Sequence, residues 1–182
     1  MLRAFLFGIL KGNWYICRGN LKLISMKAVL KTIEQNDNVS LYSICFADSD
    51  ISEYEKFLQK FKDNAKLNSD FQTILLALEK IIDKGALERF FRIEGKMSDR
   101  VAALSIDSRK LRLYCLRISD QILIVGNGGI KTTRTYQEDT TLSGYVLDLQ
   151  KFDELLLQAQ KNGTITIEKN VIVGIENKTF EL

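Results

Sequence analysis

Residues 131–136 read Lys-Thr-Thr-Arg-Thr-Tyr, which puts two cations, three hydroxyls and a phenol into six consecutive positions. Cations pair with phosphates, hydroxyls meet sugar edges, and an aromatic ring stacks on an unpaired base, so the mixture suits RNA. Arg112 and Arg117 lie upstream in one strand-like segment, and Arg89, Arg92, Lys96 and Arg100 precede that segment. Strand side chains alternate faces, so Arg112 and Tyr114 share one face while Cys115 and Arg117 share the other. At least one of these arginines must therefore point at a packed element or an edge, where it needs a partner. The same residues also read as a polar edge segment with Arg112 in a salt bridge, and residue types alone leave the two readings open.

Composition narrows the chemistry. The 182 residues contain no His and no Pro. Without His there is no Ser-His-Asp or Cys-His catalysis, no HExxH zinc site and no imidazole base. Without Pro there is no polyproline ligand or Pro-rich linker. The net charge is only +3, but it is unevenly spread. Residues 84–134 carry 11 basic and 5 acidic side chains, while residues 26–83 carry 7 and 10 and residues 135–182 carry 4 and 8. A basic middle between acidic flanks could face phosphates or an acidic partner, or be a solvated face. Cys17, Cys45 and Cys115 are odd in number and form no CxxC pair. They indicate neither a disulfide framework nor a zinc knuckle, and a reducing cytoplasm is the default.

Two tempting motifs do not hold up. Gly126-Asn127-Gly128-Gly129 has no GxxxxGK[ST] pattern and no helix signal after a parallel strand, so it reads as a strand end where Asn127 and Gly128 supply φ > 0. Glu138 and Asp139 form a lone acidic pair that reads as solvated loop. No cofactor and no metal are expected.

The elements that must position the basic set follow from periodicity. Asn38–Ala47 reads as a buried strand. Asp50 and Glu53 have capping-box spacing ahead of a helix whose stripe is Ile51, Tyr54, Phe57, Leu58, Phe61 and Ala65. Asn64–Ser69 breaks it, and Ser69 or Asp70 can cap a second helix carrying Phe71, Ile74, Leu75, Leu78, Ile81 and Ile82, closed by Gly85. Val101–Ile106, Leu111–Ile118 and Ile122–Val125 are then joined by short turns at Asp107-Ser108 and Ser119-Asp120, as in an antiparallel meander. Tyr145–Leu147 reads as a short strand, Asp148 as the cap of a helix bearing Leu149, Phe152, Leu155, Leu156 and Ala159, and Thr164–Ile175 as a hairpin about Lys169-Asn170. The expected fold class is α+β, with a helical hairpin packed on one face of an antiparallel meander and a C-terminal helix and β-hairpin beyond it.

Residues 1–25 carry four basic side chains and no acid. The apolar run Ala4–Leu10 is too short to span a bilayer, which takes about 20 residues. Three readings stand: translated upstream sequence with Met26 as the start, a genuine extra element, or a targeting segment. Residues 26–182 read as a single domain with 143–182 as its C-terminal extension.

The strand and helical hairpin, followed by Leu111-Arg112-Leu113-Tyr114, the apolar strand Ile122–Gly129 and the polar run Lys131–Asp139, resemble the RelE/ParE superfamily of bacterial type II toxins, and most of all its phage-derived, HigB-like branch. The resemblance covers about residues 39–142. This sequence departs from that pattern in four places: Val101–Ile106 has no Glu or Arg, the family's His position is Gly or Asn, the doubled Lys is Lys131 followed by Thr132, and residues 143–182 extend beyond a minimal toxin. The resemblance implies a cytoplasmic toxin neutralised by a cognate antitoxin, commonly a helix-turn-helix protein. It implies an mRNA endoribonuclease acting at the ribosome by metal-independent 2′-hydroxyl attack. Under it, Arg112, Arg117, Lys131 and Tyr136 are the catalytic set, and Lys96, Arg100, Tyr114 and Arg134 contact RNA. The alternatives are a gyrase-type inhibitor without RNA chemistry, or a phage or mobile-element accessory protein with a toxin-like fold.

Overall fold

The computed structural model describes residues 26–93, 100–104, 110–176 and 178–182. The readings of residues 1–25, of Cys17, of Lys96 and of the Asp107-Ser108 turn lie outside the described residues.

The fold is mixed α+β, built on a seven-stranded, mostly antiparallel sheet. β1 (Lys27–Gln35) and β2 (Ser40–Phe46) form a hairpin with Leu30 opposite Ile44. Periodicity marks β2 but not β1, in which only Ala28 and Leu30 are fully buried. The helical hairpin follows as α1 (Glu53–Phe61) and α2 (Asn68–Lys84). Its cap is not the expected Asp50–Glu53 pair. Ser52 is the N-cap: its hydroxyl accepts from the Glu55 amide at 3.3 Å, and Glu55 accepts from the Ser52 amide at 2.8 Å. Glu55 also takes Lys31 of β1 at 2.8 Å, and these hydrogen bonds, Lys31 first, hold its carboxyl down at about 2. α2 begins without a side-chain cap, because the Asp70 carboxylate accepts from the amides of Lys110 and Leu111 instead. Gly85 ends it at φ 87°, a conformation that disfavours a side chain.

β3 (Phe91–Ile93), β4 (Val101–Leu104), β5 (Leu111–Ser119) and β6 (Ile122–Ile130) form the antiparallel meander. α3 (Thr140–Lys161), the hairpin β7 (Thr166–Glu168) and β8 (Val171–Val173), and the closing strand β9 (Phe180–Glu181) complete the chain. The sheet order is β3-β4-β5-β6-β2-β1-β9. Among the described residues, the one parallel pairing is β2 with β6, from Ser40↔Ile122 to Ser43↔Val125.

The helices do not share one face, which corrects the expectation of a two-layer packing. α1 and α2 bury Phe57, Phe61, Phe71, Ile74 and Ile81 against Leu41, Leu113, Cys115, Leu123 and Val125. α3 buries Leu142, Val146, Leu149, Phe152 and Leu156 on the opposite face, against Tyr42, Ile44, Tyr114, Leu116 and Ile124. Each of those large apolar side chains contributes roughly 1.5–3 kcal/mol over an exposed one. The sheet is therefore the middle of three layers. The central strands read as near-continuous apolar runs because both of their faces are covered.

α3 also starts earlier than Asp148. Asp139 caps it, accepting from the amides of Thr141 and Leu142 at 2.9 and 3.0 Å. Tyr145–Leu147 is helical rather than a strand. Residues 126–129 lie inside β6, and none of them has a positive φ. The glycines there serve close approach: a Cβ on Gly126 would meet Leu149 at 2.9 Å, and one on Gly129 would meet Leu142 at 2.9 Å.

Candidate functional site

Strand alternation separates the two arginines of β5. Tyr114 and Leu116 pack with α3, whereas Leu113 and Cys115 pack with the helical hairpin. Arg112 is thus on the α3 side and Arg117 on the hairpin side. Five strand residues also set them about 15–17 Å apart along the sheet. Arg117 donates from Nε to the Ala86 carbonyl at 2.6 Å and pairs with Asp120, with Glu88 at 3.8 Å. It staples the end of the helical hairpin to the meander.

Arg112 stands opposite Gly129 and donates to the Leu111 carbonyl at 3.0 Å. The Lys131 amide donates to the Lys110 carbonyl at 2.7 Å, closing the same end of the ladder. Lys110 and Lys131 therefore share the terminal rung, with Arg112 two rungs in on the same face, and the chain then runs through exposed Arg134 toward α3. Lys110, Arg112 and Lys131 make a basic ledge at the end of β5 and β6. The polar loop behind it is ordered by its own hydroxyls. Thr133 donates to the Thr135 carbonyl at 2.7 Å, and Thr135 donates to Glu138 at 2.8 Å.

The other expected residues lie elsewhere. Tyr136 is only 8% exposed and meets Tyr114 edge-on, with ring centroids 6.3 Å apart. Tyr114 is itself 1% exposed, so neither ring offers a face to a base. Arg100 makes a two-point ion pair with Asp153 of α3, with Nε to Oδ2 at 3.1 Å. That pair ties β4 to α3 over a mostly buried contact. Asp153→Ala should cost about 2 kcal/mol in urea unfolding, because it leaves the Arg100 guanidinium without its carboxylate. A change within 0.5 kcal/mol of zero, the ordinary range for surface substitutions, would show the pair to be solvated.

A second constellation had no signal in sequence spacing. Beyond Ser43↔Val125 the parallel strands separate: β2 turns into α1 on one face, and β6 leads on to α3 on the other. Such a switch point leaves a crevice beyond the carboxyl ends of the strands. Here Ile44, Phe46, Glu53, Gly126, Asn127, Tyr145, Asp148 and Leu149 line a cleft of about 10 Å³. That is about the room one water needs, far too little for a small-molecule ligand. Buried Glu53 accepts from Asn127 Nδ2 at 2.7 Å and pairs with Lys56 at 2.8 Å. Asp148 faces it from α3. Burial, and then the nearby Glu53 charge, push the Asp148 carboxyl up to about 6. Burial likewise raises the Tyr145 phenol, helped by Glu53, Asp148 and Asp139. A carboxyl of this kind can hold or release a proton near neutrality.

Among the described residues, no group of three or more His, Cys, Asp or Glu side chains is placed to hold a metal ion. Among them also, no helix is long and apolar enough to cross a membrane. Comparison of the chain with protein families, curated proteins and solved structures yields no match.

Proposed function

We propose that this chain is a toxin-like RNA-binding protein of the RelE/ParE kind, acting in the cytoplasm on mRNA at the ribosome and held in check by an antitoxin. One observation carries the reading: Lys110, Arg112 and Lys131 gather at one end of β5 and β6, with exposed Arg134 three residues beyond Lys131, and β6 returns beside the strand that enters the helical hairpin. In this reading Lys131 and Arg134 hold the RNA backbone. Arg112 sits where charge develops as a 2′-hydroxyl attacks its neighbouring phosphate, the kind of charge a fixed cation stabilises. Arg117 and Arg100 act at a distance, by fixing β5 and β4 in place. An acidic antitoxin segment would cover the same ledge.

The second reading, binding without cleavage, is favoured by the burial of Tyr136 against Tyr114. That burial withdraws the phenol expected to move a proton. Inducible expression of the full chain in a bacterium, beside Arg112→Ala/Lys131→Ala, separates the readings. Growth arrest with new mRNA 5′ ends, both lost in the double variant, supports cleavage at the ledge. Arrest without new ends supports the binder, and no arrest from soluble, folded protein removes both. In a direct titration with single-stranded RNA, Lys131→Ala should weaken binding across sequences and lower the log–log salt slope by about 0.7, the release expected from one phosphate contact. An unchanged slope would take Lys131 off the RNA.

A further inference from the structure

We propose that the cleft between α1 and α3 is a proton-operated latch, in which the proton on Asp148, facing the Glu53 carboxylate, keeps the N-terminal half of α3 docked over the ends of β2 and β6. The geometry is specific. Glu53 lies in the first turn of α1 and Asp148 in the third turn of α3, on opposite faces of the sheet, and both line the cleft where β2 and β6 part. Glu53 is 9% exposed and already committed to Asn127 and Lys56. No hydrogen bond or ion pair from the described residues reaches the Asp148 carboxylate.

The neighbours on every side are accounted for. β2 contributes Ile44 and Phe46, and β6 contributes Gly126 and Asn127, none of them ionisable. α1 contributes Glu53 with its partner Lys56. α3 contributes Tyr145, Lys151 as a weak opposing cation, and Asp139 at its cap. Two carboxyls therefore line one cleft, with Lys56 paired to Glu53 and no cation paired to Asp148 among the described residues. Both cannot ionise without repulsion, and a proton on Asp148 removes it.

The sign follows from the raised carboxyl. A group that binds its proton more tightly when folded stabilises the fold fully below its unfolded value of 3.8, and that stabilisation is lost as pH rises through about 6. Two pKa units correspond to about a hundredfold change in the unfolding equilibrium. The segment 131–139 runs straight into α3, so the end of the basic ledge moves with the latch. The latch itself does not depend on the ledge binding RNA.

The test uses the full chain, urea unfolding from pH 4.5 to 8, and Asp148→Asn, which keeps the shape and cannot ionise. Relative to Asp148→Asn, the unmodified chain should lose stability as pH rises, by about thirtyfold in the unfolding constant between pH 4.5 and 8. Amide exchange over residues 131–150, corrected for intrinsic base catalysis, should quicken over the same range in the unmodified chain only. Glu53→Gln should flatten the dependence in part. Parallel pH curves for the chain and Asp148→Asn would overturn the latch. Should Asp148→Asn not fold, carboxyl ¹³C titration of the unmodified chain decides: a midpoint near 6 supports the latch, and one near 4 overturns it.

Discussion

Gly128→Ala should destabilise the chain by about 3 kcal/mol or more in urea unfolding, at the upper end of overpacking penalties. A Cβ on Gly128 would fall inside the Arg112 carbonyl group, with the Arg112 carbonyl carbon at 2.9 Å and the Leu113 Cα at 3.0 Å. All of these are backbone atoms, so no side chain can swing away to make room. Relief would require β5 to move off β6 at the irregular step between Leu113 and Cys115, where the register shifts. Both strands carry core on both faces, so that movement would disturb two apolar layers together. Gly144 provides the contrast within the same experiment. It lies inside α3 with open space around its would-be Cβ. Gly144→Ala should therefore stabilise by about 0.5–1 kcal/mol, through helix propensity alone. If Gly128→Ala costs under about 1 kcal/mol, well below that range, the close approach of β5 and β6 is wrong.

That contrast explains what was legible in the sequence. The helical hairpin was, because the stripes through Phe57–Phe61 and Phe71–Ile82 are helical-period patterns that face an apolar sheet. The β-hairpin about Lys169 was too, since Thr166–Glu168 and Val171–Val173 pair across it with Lys169 at φ 52°. The split of β5 into a Tyr114 face and a Cys115 face also followed from alternation. The role of the glycines in residues 126–129 is not legible, because a glycine that frees φ and a glycine that makes room look identical in a sequence. Only the positions of Leu149, Leu142 and the Arg112 carbonyl tell them apart. α3 was started late for a related reason: Thr140, Thr141, Ser143 and Gly144 are weak helix formers. Packing of Leu142, Val146 and Leu149 on the sheet overrides that local preference. The pairing of β2 with β6, and with it the cleft, joins Glu53 to Asn127 across 74 positions and has no local signature at all. Of the basic set, Arg112 and Lys131 lie near one end of β5 and β6, while Arg117, Arg100, Tyr114 and Tyr136 are held elsewhere by partners that spacing cannot reveal.

Phe152→Ala should cost about 3–5 kcal/mol, the range for emptying a fully buried aromatic site. Phe152 is 0% exposed in the middle of α3, and its ring meets Phe180 at 4.7 Å. The contact carries two connections at once. It fixes α3 to the sheet face formed by Ala28, Tyr42, Ile44 and Leu116. Through Phe180 it also holds β9 against β1, where Ala28 pairs with Phe180 and Met26 and Leu182 exchange backbone hydrogen bonds at 3.0 and 2.7 Å. The void therefore has walls on three elements, and a wall built from separate elements closes up poorly. Leu157→Ala is the matched control: it lies on the same helix, 46% exposed, and should stay within about 0.5 kcal/mol. If Phe152→Ala also costs under about 1 kcal/mol, α3 would be a separable appendage on a two-layer domain that is stable without it. A cost near 4 kcal/mol, with one cooperative transition, would mean that the sheet is stable only as the middle of three layers. In that case the basic ledge, whose chain enters α3 within nine residues of Lys131, is positioned by both cores rather than by the meander alone.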